Sequence, residues 1–116
     1  MSLDQDTLNS LRELVSADQP DFLKQILTLF QDTAPMKVRS IQTALGQSDY
    51  ATIAREAHTL KSSSANIGAL ELSTVCQTLE KAARSSDATT VSQESAKLQP
   101  ALNTALTLIA QLPEMQ

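Results

Sequence analysis

The stretch from Ala54 to Ala69 decides the fold of this chain, and it reads Ala-Arg-Glu-Ala-His-Thr-Leu-Lys-Ser-Ser-Ser-Ala-Asn-Ile-Gly-Ala. On a helix at about 100° per residue, its apolar and small residues fall on one stripe with the spacing of a buried face. The pattern predicts a helix ending near Asn66, with Gly68 left-handed in the following turn. The buried stripe begins just before the stretch and consists of Tyr50, Ile53, Ala57, Leu60, Ser64 and Ile67.

His58 is the only histidine in the chain, and it lies about 130° from the middle of this stripe, so we expect it to face solvent. Its neighbours Ala54, Ser62 and Ala65 are small, which leaves the ring on a low surface that another protein can approach. A neutral imidazole carries a lone pair and is a nucleophile, and Lys61 one turn further supplies a charge for an anion on that ring. The alternative is an ordinary solvated histidine.

The residues before this helix predict two others. Asp4 is a good N-cap for a short first helix, which we expect to cover one end of a bundle. The second helix starts near Pro20 and keeps its apolar register past Pro35, which predicts one long kinked helix. Gly46 is predicted to end it, as a C′ glycine commonly does.

The residues after the stretch also predict two helices. One covers roughly Ala69 to Arg84, and the other has apolar residues at alternating spacings of three and four until Pro113 ends it. Ser64, on the buried stripe, should bond back to a carbonyl. The sequence therefore predicts an all-α fold, an up-down-up-down four-helix bundle with an extra short N-terminal helix, in a single domain over 1–116.

Composition limits the classes of function. The net charge of −4 argues against nucleic acid as a partner, and no apolar run approaches the ~18 residues that span a membrane. The single Cys76 cannot form an internal disulfide, which fits a cytoplasmic location. No His, Cys and carboxylate cluster has metal-ligand spacing, so no metal site is expected. The apolar stripes match within one chain, which predicts a monomer.

The run from His58 to Ala69 resembles the signature of histidine-containing phosphotransfer (HPt) domains, which is His-x-Leu-Lys-Gly-Ser-Ser or Ala, two variable residues, an aliphatic residue and Gly. Ser62 stands where the family usually has Gly. The resemblance implies a phosphorelay intermediate, in which His58 accepts a phosphoryl group from the aspartate of one receiver domain and passes it to another. Lys61 would stabilise that group. The docking patch would consist of Ala51, Ala54, Arg55, Ser62, Ala65 and Arg84.

The same resemblance implies the partners and the chemistry they bring. Receiver domains of response regulators, and a hybrid sensor histidine kinase, are the expected partners. The receiver would bring Mg²⁺, so this domain needs no cofactor of its own. Without independent turnover it is a phosphohistidine carrier and not an enzyme. The rival hypotheses are a helical adaptor, in which His58 is incidental, and a degenerate HPt domain that docks receivers without accepting phosphate.

The sequence allows two interpretations of Glu80. In related domains a Gln or Glu at this position can hydrogen-bond the active imidazole from the next helix, which would orient His58. The alternative is a simple ion pair with Arg84, one turn away, on a solvated helix surface.

Overall fold

The computed structural model describes residues 2–14 and 21–116, and every regular element in those ranges is helical. The predicted start of the second helix at Pro20 lies outside these ranges. Pro35 lies inside one continuous helix, as predicted. The five helices are α1 at Gln5–Glu13, α2 at Phe22–Gly46, α3 at Tyr50–Asn66, α4 at Leu70–Arg84 and α5 at Ala88–Ala110, and a 3₁₀ turn follows at Pro113–Met115.

The four long helices form the predicted bundle. Consecutive helices pack side by side, and α5 returns to contact α2, so that each helix touches two neighbours. No helix in the described ranges is long and apolar enough to cross a membrane. The core is mainly aliphatic, with Phe30 as a buried aromatic residue, and its largest fully buried side chains on these helices are Leu27, Val38, Ile41, Ile53, Leu60, Leu72, Leu79, Leu98, Leu102 and Ile109.

Three helices begin with the same Asp-x-x-Thr sequence. At the start of α3, Asp49 accepts hydrogen bonds from the backbone N–H of Thr52 at 3.1 Å and from its hydroxyl at 2.6 Å. Asp4 caps α1 and Asp87 caps α5 through the threonine three residues on in the same way. Each cap satisfies a backbone donor that the first turn leaves unpaired, so local sequence sets where these helices start.

The turns after α2, α3 and α4 share one backbone geometry. A left-handed residue follows each helix, and in each turn two N–H groups bond back to carbonyls of the last turn. Gly68 takes this position after α3, at φ 80°, as predicted. Gly46 ends α2, as predicted, but it is the last helical residue and not a C′ glycine, because Ser48, at φ 51°, is the left-handed residue. The Asp49 cap starts α3 immediately afterwards and thereby sets the turn.

The N-terminal helix closes the end of the bundle where α3 and α5 finish. The backbone N–H of Asp4 donates to the carbonyl of Gly68 at 2.8 Å, and Leu8 is fully buried. Near the other end of α1, the guanidinium of Arg12 bonds both carboxylate oxygens of Glu114. These contacts hold α1 against the turn that ends the His58 helix.

Two further predictions for the helices were wrong in detail. Helix α5 ends at Ala110, three residues before Pro113, which starts the 3₁₀ turn instead. The hydroxyl of Ser64 is buried and has no hydrogen-bond partner among the described residues, whereas we expected a bond to its own helix. Ser62 and Ser63 do make such bonds, to the carbonyls of the residues four before them. Ser64 is fully buried between packed helices, and its small side chain fits there although its hydroxyl forms no hydrogen bond with any residue that the structure describes.

The two glycines of the chain provide a matched test of this architecture. A Cβ on Gly68 would lie 2.9 Å from backbone atoms of Asp4 and would force a left-handed alanine, whereas a Cβ on Gly46 meets nothing within 4 Å. We expect Gly68→Ala to lower the free energy of unfolding by about 2 kcal/mol or more. Gly46→Ala should leave it unchanged or raise it by up to about 1 kcal/mol. Urea unfolding followed by circular dichroism measures both. Equal stability of the two variants would contradict the close contact between Asp4 and the Gly68 turn.

Candidate functional site

His58 projects from the exposed face of α3 into an open groove, as its position on the helical wheel predicts. Its side chain is 56% exposed. The groove has a volume of about 630 Å³ and lies between the first half of α3 and the end of α4. Its lining residues are Tyr50, Ala51, Ala54, Arg55, His58, Thr59, Ala83, Arg84 and Ser86.

Glu80 reaches the imidazole from the neighbouring helix. Its Oε2 lies 3.0 Å from Nδ1 of His58 and also accepts from Nη2 of Arg84 at 2.7 Å and from Nε at 3.1 Å. Its Oε1 accepts from Nζ of Lys61 at 2.9 Å. The two interpretations of Glu80 are therefore both present in one cluster. The expectation of a solvated surface pair was wrong, however, because only 8% of Glu80 is exposed.

Neighbouring hydrogen-bond donors keep the Glu80 carboxylate ionised. Burial opposes ionisation of Glu80 and is the largest single influence, but hydrogen bonds from Lys61, Arg84 and His58 together outweigh it and lower its pKa to about 2. The group is consequently ionised at neutral pH and can only accept hydrogen bonds.

An accepting carboxylate determines the tautomer of His58. Since Glu80 carries no proton, the bond at 3.0 Å requires a hydrogen on Nδ1 of the ring. In the neutral imidazole, the lone pair then resides on Nε2. Nε2 has no hydrogen-bond partner among residues 2–14 and 21–116, and the ring borders the open groove. The arrangement leaves a nucleophilic nitrogen accessible to another molecule.

Both the side chain and the backbone of Lys61 form hydrogen bonds with α4. Its ammonium group bonds Glu80, and its backbone carbonyl accepts a hydrogen bond from the hydroxyl of Ser73 at 3.0 Å. Its side chain is 30% exposed. The lysine lies one turn from His58, as expected, but its charge is shared with a carboxylate that the helical wheel alone does not reveal.

The six residues predicted for docking separate into two groups. Ala51, Ala54, Arg55 and Arg84 line the groove, and the two arginine side chains are more than 60% exposed. Ala54 is only 6% exposed, so it forms part of the groove floor. The other two lie further along α3, outside the groove lining, and they are the exposed Ser62 and the half-buried Ala65.

Sequence reasoning missed part of the groove. Tyr50 and Thr59 lie on α3, while Ala83 and Ser86 come from the end of α4 and the turn after it. Tyr50 was assigned to the core stripe, but it is half-buried and therefore contributes both to the core and to the groove lining. The residues near the end of α4 had no signal in the sequence, because their distance from His58 depends on how the two helices pack.

The lowered pKa of Glu80 predicts a specific acid sensitivity. Since its folded pKa is about 2, against an ordinary 4.5, the carboxylate contributes stability above pH 4.5 that is lost as the pH falls towards 2. Glu80→Gln should be less stable than the wild type at neutral pH and should lose less stability across this window. Urea unfolding at a series of pH values measures the difference. Glu94→Gln, which removes a carboxylate paired with Lys97 on α5, is the control and should parallel the wild type.

Comparison with known proteins places this geometry in a family. A crystal structure of histidine-containing phosphotransfer protein B (HptB) from Pseudomonas aeruginosa PAO1 matches with a TM-score of 0.84 and 27% identity, over 94% of this chain and 91% of that chain. Histidine-containing phosphotransfer protein 2 of Arabidopsis thaliana is 30% identical over 74 residues, which are 61% of this chain. The match spans about half, 47%, of that relative's length. The family model for the Hpt domain matches residues 25–113, which is most of the chain and includes the His58 cluster, and the chain therefore belongs to the Hpt domain family.

Proposed function

We propose that this domain is a phosphorelay intermediate, in which His58 accepts a phosphoryl group from an aspartyl phosphate of one receiver domain and passes it to another. The observation that carries the proposal is the bond between Nδ1 of His58 and the ionised carboxylate of Glu80, at 3.0 Å. It leaves Nε2 as the nucleophile, on a half-exposed ring that another protein can reach.

The proposed reaction needs no proton transfer at the ring. The lone pair of Nε2 attacks phosphorus in line, the bond from phosphorus to the aspartyl oxygen breaks, and its electron pair returns to the receiver carboxylate. Nδ1 keeps its proton throughout, so the phosphorylated ring is a cation beside Glu80. The reverse sequence delivers the group to the next receiver. The domain is in this account a carrier that has no turnover of its own.

The charges around the groove suit an anionic partner. Lys61 and Arg84 bond the buried carboxylate of Glu80, and Arg55, which lies 3.5 Å from Glu56, lines the groove beside His58. This cationic rim stands out on a chain whose net charge is −4. A receiver site consisting of carboxylates, Mg²⁺ and a phosphoryl group would meet complementary charge there. We assign stabilisation of the transferred group to Lys61 and supply of the metal to the receiver.

The first experiment is phosphoryl transfer from a panel of phosphorylated receiver domains to the wild type and to His58→Gln. The glutamine amide can still donate to Glu80, so the variant should remain folded by circular dichroism. We expect an acid-labile, base-stable label on the wild type alone. Absence of label together with detectable receiver binding would favour a degenerate docking domain. Absence of both label and binding would favour a helical adaptor.

The groove geometry generates a second prediction. Ala51 is an exposed residue of the groove lining, and a tyrosine there would hold a receiver away from His58. We expect Ala51→Tyr to slow transfer by about tenfold or more, since small displacements of reacting groups are costly. Ala96→Tyr is the matched control, because Ala96 is also exposed but lies on α5, and it should transfer at the wild-type rate. Equal rates for the two variants would mean that the receiver docks elsewhere.

A further inference from the structure

Glu80 is placed to do more than orient the ring. One oxygen, Oε2, accepts from His58 and from two nitrogens of Arg84, while the other oxygen holds Lys61. An amide at this position would also accept from Nδ1, so orientation alone does not require a charged residue. The carboxylate adds a negative charge in contact with the ring, at a residue that is 8% exposed and therefore weakly screened by solvent.

The charge matters most once the ring carries a phosphoryl group. With the group on Nε2 and a proton on Nδ1, breakage of the P–N bond returns an electron pair to Nε2 and releases neutral imidazole. When the Nδ1 proton has been lost, the same bond breakage must release an imidazolate anion, which is a far poorer leaving group. Onward transfer therefore depends on whether the phosphorylated ring stays protonated, and a neighbouring carboxylate favours that cationic form.

The other charged groups near the ring act in the opposite direction. Arg55 and Lys61 of α3 and Arg84 of α4 are cations, and each disfavours a proton on the ring. The charged contact from α2 to α3 joins Lys37 to Glu56, which lies about 200° around the helix from His58. On α5, the other helix packed against α4, Lys97 pairs with Glu94 on its own helix. Among the described residues, Glu80 is thus the carboxylate that contacts the imidazole.

We propose that Glu80 is a positioning residue whose negative charge keeps phosphorylated His58 protonated on Nδ1, so that the phosphoryl group remains transferable at neutral and mildly alkaline pH. This inference rests on the proposed phosphorylation of His58. It adds a specific role for the carboxylate, since a glutamine in its place would orient the ring equally well without extending the pH range.

The test uses protein phosphorylated with phosphoramidate, a small-molecule donor that requires no receiver. Nitrogen-15 NMR of the phosphorylated ring identifies the nitrogen that carries the group and follows loss of the Nδ1 proton with pH. The pH profile of phosphoryl loss by hydrolysis is recorded in parallel. We expect Glu80→Gln to move the midpoint of both curves to lower pH, because the variant loses the negative charge that favours the protonated ring. The shift should be about half a unit or more, since solvent around the half-exposed ring screens that charge only in part.

Two further variants complete the test. Glu94→Gln removes the same charge from α5 and should leave both midpoints unchanged. Arg84→Gln removes a cation that opposes ring protonation and should move them to higher pH, which keeps the proposal testable should Glu80→Gln not fold.

Several results would overturn the proposal. Equal midpoints for the wild type and Glu80→Gln would show that the negative charge of Glu80 does not affect protonation of the phosphorylated ring. An equal shift in Glu94→Gln would show a general charge effect, and a downward shift in Arg84→Gln would contradict the electrostatic account. Phosphorylation on Nδ1 would show that Glu80 does not protect that nitrogen. Failure of receiver transfer would not alter these results, so the two proposals fail separately.

Discussion

The close packing of α3 against α4 is the constraint on which the rest of the structure depends. This is the most extensive helix contact in the bundle, and small buried residues on both helices, including Ala57, Ser64, Cys76 and Ala83, permit it. Gly68 provides the left-handed turn between the two helices. Without this close approach, Glu80 could not reach His58 and Lys61 from the neighbouring helix.

Burying the Glu80 carboxylate is favourable only because three donors converge on it. A lone buried carboxylate would be strongly destabilised or would take up a proton. Here Lys61, Arg84 and the ring N–H of His58 supply the compensating bonds. The fold and the site are consequently coupled, because the interactions that stabilise the hairpin also select the tautomer of the histidine. Cys76, buried in the same hairpin with its thiol pKa raised to about 12 by burial, is an unreactive packing residue.

The N-terminal helix extends this coupling beyond the hairpin. Asp4 bonds the Gly68 turn, and Arg12 bonds Glu114 after the last helix, so α1 joins the end of α3 to the end of the chain. The groove beside His58 lies near the opposite end of α3, where that helix starts. The end of the bundle that carries the groove is therefore remote from α1, and the groove itself is lined by α3, α4 and the turn after α4.

Much of this protein follows from the sequence alone. The apolar spacing predicted the helices and the bundle, because each helix must bury one face whatever its neighbours are. The same spacing placed His58 on the exposed side, the family motif named Lys61 as its companion, and the wider resemblance gave a bond to His58 as one of two interpretations of Glu80. The sequence was less informative about the turn after α2, where a glycine at the helix end competes with the N-cap of the next helix. The left-handed residue is Ser48 and not Gly46, since the Asp49 cap sets the turn.

Only the tertiary structure decided how the site residues share their charge. The distance from His58 to Glu80 is set by packing across a hairpin, and no spacing within one helix reveals it. Nor could the sequence show that Lys61 and Arg84 bind the same carboxylate, that Ser73 holds the backbone of Lys61, or that Ser86 borders the groove. Periodicity specifies which face of a helix is buried, but the side-chain contacts between two helices depend on how those helices pack against each other.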